Sequence, residues 1–378
     1  MIYKGVCRLK KMLLTLLVLL LITALLVSCG GSGVDEPIRI AIITSSGSVD
    51  DESFNQNNFE GITRFIENHG NATVQVLREA TGRPDEAIQY VSRIVSSFDI
   101  LVLPGFQFEG ISELAMAHPE TYFIVVDTRL GEINGVNEFP NVMSILFAEQ
   151  ESGFLAGVAA ALESRTGHVA FVGGIAVPPV INFHMGFEAG VNYSNRNLGT
   201  NVRLVSLPQS AATFNDRYIG GNYVDAFGDP ATGRMIANAL IDEGVDIIFA
   251  AAGLSGQGVF EAVKLTDYVM VIGVDVDQFG DGYTSHRNIV LTSALKAMDI
   301  NVERGLNYFA SGTFEGGNLT MRADSLSTGI VTEPNRHQMS DDTLGIIDRL
   351  FSRLVDGSLV PPDTFNYTPT NFPGLEGR

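Results

Sequence analysis

Residues 38–61 read Ile38-Arg-Ile-Ala-Ile-Ile43, then Thr44-Ser-Ser-Gly-Ser-Val-Asp50-Asp51-Glu52-Ser53-Phe54-Asn55-Gln56-Asn57-Asn58-Phe59-Glu60-Gly61. The first six are β-branched or apolar apart from one arginine, the composition of a strand covered on both faces. A polar loop follows, and from Phe54 apolar residues return at helical spacing. Strand, loop and helix in this order form the unit from which parallel, doubly wound sheets are built. The loop leaves the carboxyl end of its strand, where such sheets hold ligands.

Working outward, the unit recurs. Strand-like runs at 74–77, 100–103, 123–126 and 142–147 alternate with helical patterns at 54–68, 84–97 and 108–118. A small-residue helix at 154–164 opens a second series. Its strands are 168–172, 202–207, 246–251 and 269–274, and its helices are 185–195, 231–243 and 258–266. A strand at 289–292 and helices at 295–310 and 342–355 follow, and 361–378, rich in Pro, Asn and Thr, reads as irregular. Two α/β units of similar size predict two doubly wound lobes with a ligand between them and closure about a hinge.

Ahead of the first strand, Lys4, Arg8, Lys10 and Lys11 precede an apolar run at 12–27 that ends Leu26-Val27-Ser28-Cys29. A basic start, an apolar core and small residues before a cut describe an export signal over 1–28. Cys29 behind Leu-Val-Ser looks like a lipidation site, and 29–37 reads as a flexible tether. The expectation is a body held outside the cytoplasmic membrane by a lipid on Cys29. A single membrane span is the competing reading, at the short limit of length.

The 378 residues hold 24 Lys and Arg against 43 Asp and Glu, a net charge of −19. Without 1–28, which carry four cations and no acid, 20 cations face 43 acids, a net of −23. That field repels nucleic acid and anionic headgroups. The only other cysteine, Cys7, lies in the signal, so the body can form neither an internal disulfide nor a thiolate metal site. The six His are isolated, no Gly-x-Ser-x-Gly elbow occurs, and 275–286 fails as a calcium loop at Phe279 and His286. No metal or cofactor is expected, and no enzyme.

Several positions read as ligand contacts. Asp50, Asn55, Gln56 and two aromatics crowd the first loop, more than helix capping by Asp51 or Ser53 explains. Asp127 and Asp275 each end an apolar strand. A carboxylate there needs a donor, and sugar hydroxyls supply one; a cap or an internal bond is the plainer use. Gly253-Leu-Ser-Gly256-Gln-Gly258 lacks the signature of a phosphate loop and suits close backbone approach or a tight turn. Lys296 ends a strand near a helix start, where the dipole opposes it, so Asp275 or a ligand oxygen is its expected partner.

These residues resemble the basic membrane protein family of bacterial lipoproteins, which includes purine nucleoside receptors. The resemblance spans the mature chain. Its most specific piece is Asp50-Asp51-Glu-Ser53-Phe54-Asn55-Gln56 with Phe59 and Glu60-Gly61. Gly153-Phe-Leu-Ala-Gly157, Val172-Gly173-Gly174, Met185-Gly-Phe187-Glu-Ala-Gly190, Phe227-Gly-Asp229-Pro-Ala-Thr-Gly233, Gly273-Val-Asp275-Val-Asp277-Gln278 and Thr292-Ser293-Ala-Leu-Lys296 support it. The family often has Asn where Gly228 stands and Trp where Phe59 stands.

The resemblance implies a type I periplasmic-binding-protein fold, two parallel-sheet lobes joined by a three-stranded hinge. Lobe 1 would comprise 38–147 plus about 278–329, and lobe 2 would comprise 148–277 plus about 330–360. It implies delivery of ligand to an ABC permease by a monomer. Carried over by position, Phe59 and Phe227 would stack on a purine, and Asp50 and Asn55 would bond its edge, with Asp127 nearby. Asp275 would accept from ribose, Lys296 would donate to it, and Gly253 would line it. The implied ligand is a guanosine-, inosine- or adenosine-type nucleoside. Another small solute such as a sugar or furanose signal, a nucleoside hydrolase and a surface adhesin are the alternatives.

Overall fold

The computed structural model describes residues 36–45, 47–133, 135 and 139–364. The export signal expected over 1–28, Cys29 and residues 365–378 of the tail lie outside the described residues. Met1–Pro37 form a unit of their own, and the body is Ile38–Arg378.

The chain runs β1 (Ile38–Thr44), α1 (Phe54–His69), β2 (Ala72–Arg78), α2 (Pro84–Ile94), β3 (Ile100–Pro104), α3 (Ile111–Ala117), β4 (Tyr122–Val126) and β5 (Val142–Phe147). It continues through α4 (Glu149–Glu163), β6 (His168–Gly173), α5 (Pro178–Asn197), β7 (Arg203–Leu204) and the hairpin β8 (Ala212–Phe214) and β9 (Arg217–Gly220). Then come α6 (Pro230–Asp242), β10 (Ile247–Ala251), α7 (Leu254–Lys264), β11 (Met270–Asp275) and β12 (Val290–Lys296). The last elements are α8 (Met298–Ser311), β13 (Gly317–Met321), β14 (Thr328–Ile330) and α9 (Asp341–Val355).

Two six-stranded sheets result, ordered β13-β5-β4-β3-β1-β2 and β14-β12-β11-β10-β6-β7. All pairings are parallel except β12 with β14. Both faces of each sheet are covered, which is why the central strands are buried along most of their length and mainly apolar. Ile40 and Ile42 of β1 meet α1 and α8, while Ala41 and Ile43 meet α2 and α3. In the second sheet Phe171 and Phe249 pack with α4, α5 and α9, and Ala170 and Ile248 with α6 and α7.

Residues 278–296, expected in lobe 1, belong to the second sheet. Val274 of β11 pairs with Ala294 of β12, whose other edge carries β14. The chain leaves this sheet only after Lys296, so the end of β12 faces the cleft. Other boundaries also differ. Helix α4 starts at Glu149 instead of 154, because Glu149, Gln150, Glu151 and Ser152 are polar yet buried. Helix α5 starts at Pro178 instead of 185, with proline tolerated in its first turn. Strand β7 has two residues instead of 202–207.

Among the described residues three crossings join the lobes, at 147–149, 296–298 and 321–328. They run side by side: Ala148 N–H donates to Met321 O at 2.9 Å and Ala297 N–H to Ser327 O at 3.0 Å. The first turn of α4 ties them together. Glu151 accepts from Ala323 N–H (2.8 Å) and Thr328 Oγ1 (2.7 Å) and pairs with Arg322 (2.8 Å). Ser152 donates to Leu295 O at 2.8 Å and accepts from Gly329 N–H at 2.9 Å. Burial raises the pKa of Glu151, against the pull of Thr328 and Arg322.

Helices α4 and α5 touch backbone to backbone. A Cβ on Gly157 would overlap the carbonyl of Phe187, and one on Gly190 the carbonyl of Phe154. The motifs Gly153-Phe-Leu-Ala-Gly157 and Gly186-Phe-Glu-Ala-Gly190 are therefore two small-residue faces pressed together, and they hold the helix that bears the hinge.

Candidate ligand-binding cleft

The cleft lies at the carboxyl ends of the parallel strands, as open α/β sheets predict. Lobe 1 contributes the loop after β1, Phe106 after β3, and Asp127 after β4; lobe 2 contributes Phe227, Gly253 before α7, and Asp275 at the end of β11. Lys296, closing β12, lies at the base.

Lys296 is the centre of the arrangement. Its Nζ lies 2.6 Å from Asp127 Oδ2, 3.7 Å from Asp275 Oδ1 and 3.8 Å from Glu149 Oε1. Three rings surround the same ammonium: Phe54 at 5.0 Å, Phe147 at 5.7 Å and Phe183 at 5.7 Å. The side chain is 3% exposed. Burial alone would lower its pKa, but Asp127, Asp275 and Glu149 outweigh that and hold it above the ordinary lysine value. One cation serves three buried carboxyls, so the acids are under-compensated. Burial pushes Glu149 up to about 8, with Asp127 adding to the effect and Lys296 opposing it. Burial likewise raises Asp275, again with Asp127 adding and Lys296 opposing.

Asp127 and Asp275 both have left-handed backbone, φ 62° and φ 67°. The turn lifts each carboxylate off its strand end toward the lysine. Asp127 Oδ1 is buried with no hydrogen-bond donor among the described residues. A second contact bridges the lobes directly: Ser53 Oγ donates to Asp275 Oδ2 at 3.2 Å.

The first loop resolves into two roles. Asp51 accepts from the backbone N–H of Ser53 (3.1 Å), Asn55 (3.1 Å) and Gln56 (3.0 Å), and from Asn55 Nδ2 (2.7 Å). It is thus the cap of α1, where the dipole favours an anion, and it also lines the cleft beside Asn55 and Phe54. Asp50 does not line it; it is exposed and accepts from Ser48 Oγ. Phe59 does not line it either. It sits further along α1, half-buried against the Ile40 and Ile42 side of the first sheet, and Phe54 holds the place expected for it.

Phe227, Asn55, Asp127, Gly253, Asp275 and Lys296 do come together. Phe227 stands over glycine backbone: a Cβ on Gly174 would meet its ring, and Gly253 (φ 53°) is beside it. The glycines after β6 and β10 thus make room for an aromatic side chain. Ser53, Phe183 and Glu149 are not anticipated as site residues by the sequence, and Phe54 reads there only as one of two loop aromatics, with stacking assigned to Phe59. Phe54 had a signal, being the other aromatic of the loop. Glu149 had a weaker one, an acid between an apolar strand end and an alanine-rich helix.

A polar base between two lobes joined by side-by-side crossings is the architecture of a solute-binding receptor of the type I periplasmic kind. The family model for PnrA-like ABC transporter substrate-binding proteins matches residues 38–207 and 211–346, and the chain belongs to that family. It is 30% identical over 362 residues to basic membrane protein A of Borreliella burgdorferi, covering 92% of this chain and 95% of that one. It is 29% identical over 308 residues to the ABC transporter nucleoside-binding protein BmpA of Lactococcus lactis, covering 77% and 80%. Among solved structures, an ABC transporter solute-binding protein from Aeropyrum pernix K1 superposes with a TM-score of 0.72 at 24% identity, over 87% of this chain and 95% of that one. Among the described residues no helix is long and apolar enough to cross a membrane.

Proposed function

We propose that this substrate-binding protein captures purine nucleosides in the cleft and hands them to an ABC permease, as a monomer tethered by a lipid on Cys29 outside the cytoplasmic membrane. The observation that carries the reading is the pairing of chemistries in one cavity. Phe54 and Phe227 enter from opposite lobes, and the Lys296, Asp127 and Asp275 cluster closes the base. A purine offers two apolar faces, and stacking on aromatics contributes about 1–3 kcal/mol per base. A ribose offers donors to the under-compensated carboxyls and an acceptor to the ammonium. The name of the Lactococcus lactis relative, a nucleoside-binding protein, supports the same reading.

A ligand panel on residues 30–378 tests it. Guanosine, inosine or adenosine at 100 times Kd adds about 2.7 kcal/mol to the unfolding free energy, read as a rise in Tm. Free ribose and hexoses are the controls. A shift with sugars and none with any nucleoside would replace this reading with sugar capture, and release of free base would reveal a hydrolase.

A further inference from the structure

The base of the cleft is connected to the far end of the chain through two side chains. Asn182, buried in the second turn of α5, donates from Nδ2 to Glu149 Oε2 at 3.0 Å. Glu149 presents its other oxygen to Lys296 Nζ at 3.8 Å. Asn182 Oδ1 accepts from the backbone N–H of Thr364 at 2.8 Å and also from the Thr364 hydroxyl. That hydroxyl lies 3.2 Å from the carbonyl of Pro178, at the start of the same helix. The segment that delivers Thr364 leaves α9 and is anchored by Leu359, which is 2% exposed.

An asparagine amide fits a site either way round, and its neighbours decide which end is oxygen. A backbone N–H can only donate, so Thr364 fixes the oxygen at its end and turns the NH2 toward Glu149. A donor aimed at a carboxylate favours the charged form. We propose that Asn182, locked by Thr364 of the C-terminal segment, is a positioning residue for the cleft, holding the Glu149 carboxyl in a fixed orientation toward Lys296, where it becomes a counter-charge once it ionises. The inference rests on the reading that the cleft holds a nucleoside. It makes the affinity of the cleft depend on residues that do not line it.

The charged groups around Glu149 fit this role. Lys296 and Asp127 face it from the cleft, Asp275 lies across the same ammonium, and Arg129, Arg322 and Asp363 line the hinge-side cavity that Glu149 and Asn182 share. Burial favours a proton on Glu149, and Lys296 and Asn182 oppose it. Removing the Asn182 donor lets the proton stay to higher pH, and Lys296 then keeps fewer counter-charges to set its place.

The test compares residues 30–378 with Asn182→Leu, with Thr364→Pro, which removes the N–H and the hydroxyl together, and with Asn182→Asp. The Glu149 carboxyl is titrated by carbon NMR, and affinities for guanosine, inosine and adenosine are measured by calorimetry from pH 5.5 to 9. The expected result is an upward displacement of the Glu149 titration and of the pH profile of affinity by about one unit, the scale of one hydrogen bond to a charged group. The double variant Glu149→Gln with Asn182→Asp restores a donor–acceptor pair in reverse and recovers affinity relative to Asn182→Asp alone. Titrations in Asn182→Leu and Thr364→Pro that coincide with the unmodified protein would overturn the proposal. A shift with Asn182→Leu and none with Thr364→Pro would overturn the locking by Thr364. If the unmodified protein binds no nucleoside, the nucleoside reading fails by itself, and the Glu149 titration still decides this one.

Discussion

Asp127 and Asp275 are counterparts. One follows β4 and the other ends β11, each the third strand from the corresponding edge of its sheet, and both approach a single ammonium on Lys296. The next strand inverts the symmetry. In β5 the sequence Ser144-Ile-Leu-Phe147-Ala148 ends in a phenyl ring, and in β12 Ser293-Ala-Leu-Lys296-Ala297 ends in the lysine. Two similar lobes thus supply two acids, while only one supplies the cation.

Asp127 provides the shortest contact to Lys296, so Asp127→Ala leaves a buried ammonium short of its nearest counter-charge. Breaking one side of a buried pair costs about 3–5 kcal/mol. Chemical denaturation is expected to show a loss of that size. Pairing Asp127→Ala with Lys296→Met is expected to recover part of it, since the stranded charge is then gone.

Phe54 and Phe59 separate by function. Phe54→Ala and Phe227→Ala are expected to weaken nucleoside binding by about 10- to 100-fold, the scale of one lost stacking partner. Phe59→Ala removes packing beside the first sheet and is expected to lower Tm while leaving Kd within about threefold, because lost packing away from the ligand acts on stability. Calorimetry and melting curves on the three variants distinguish the effects.

The contact between α4 and α5 tolerates no side chain at its centre. Gly157→Leu or Gly190→Val forces the helices apart and is expected to destabilise by at least about 1–3 kcal/mol, the usual cost of overpacking. Urea unfolding checks this. A neutral outcome would mean that the helices are not in backbone contact.

Glu149 ties stability to pH with a definite sign. Its folded pKa, about 8, lies above its ordinary value of 4.5. Between those values the folded state holds the proton and the unfolded state does not, so stability falls as pH rises through the interval and is level beyond it. Glu149→Gln removes this term. Its Tm advantage over the unmodified protein is expected to grow from pH 5 to pH 8.5, as read by calorimetry.

Much of the fold is legible in the chain because it is written in local terms. The stretches 40–43 and Ile247–Ala251 are apolar on both faces because both are covered, and the helices between carry one apolar face each. Pairing partners are not local. Strand β12 reads as any apolar strand, and only its neighbours β11 and β14 place it in the second sheet. The hinge misled in the opposite direction. Glu149, Gln150, Glu151 and Ser152 look like solvated loop residues, yet they are buried because the crossings supply their partners.

The site divides in the same way. Asp127, Asp275 and Lys296 stand out because a charge at the end of an apolar strand has no local explanation. Phe54 and Phe59 cannot be told apart from composition. Five positions apart on α1, they point in different directions, and only the docked lobes reveal which one faces the cavity.

In the proposed closure, the ties that Glu151 and Ser152 make around the other two crossings set which half of the molecule swings. Those bonds bundle every connection onto the α4 side, so lobe 2 and all three connections travel as one block. The flexing of that closure is then expected on the lobe 1 margin, at Ala148, Ala297 and Met321. A spectroscopic label on α5 would stay in register with the pivot as solute enters, whereas one on α2 would sweep the full arc.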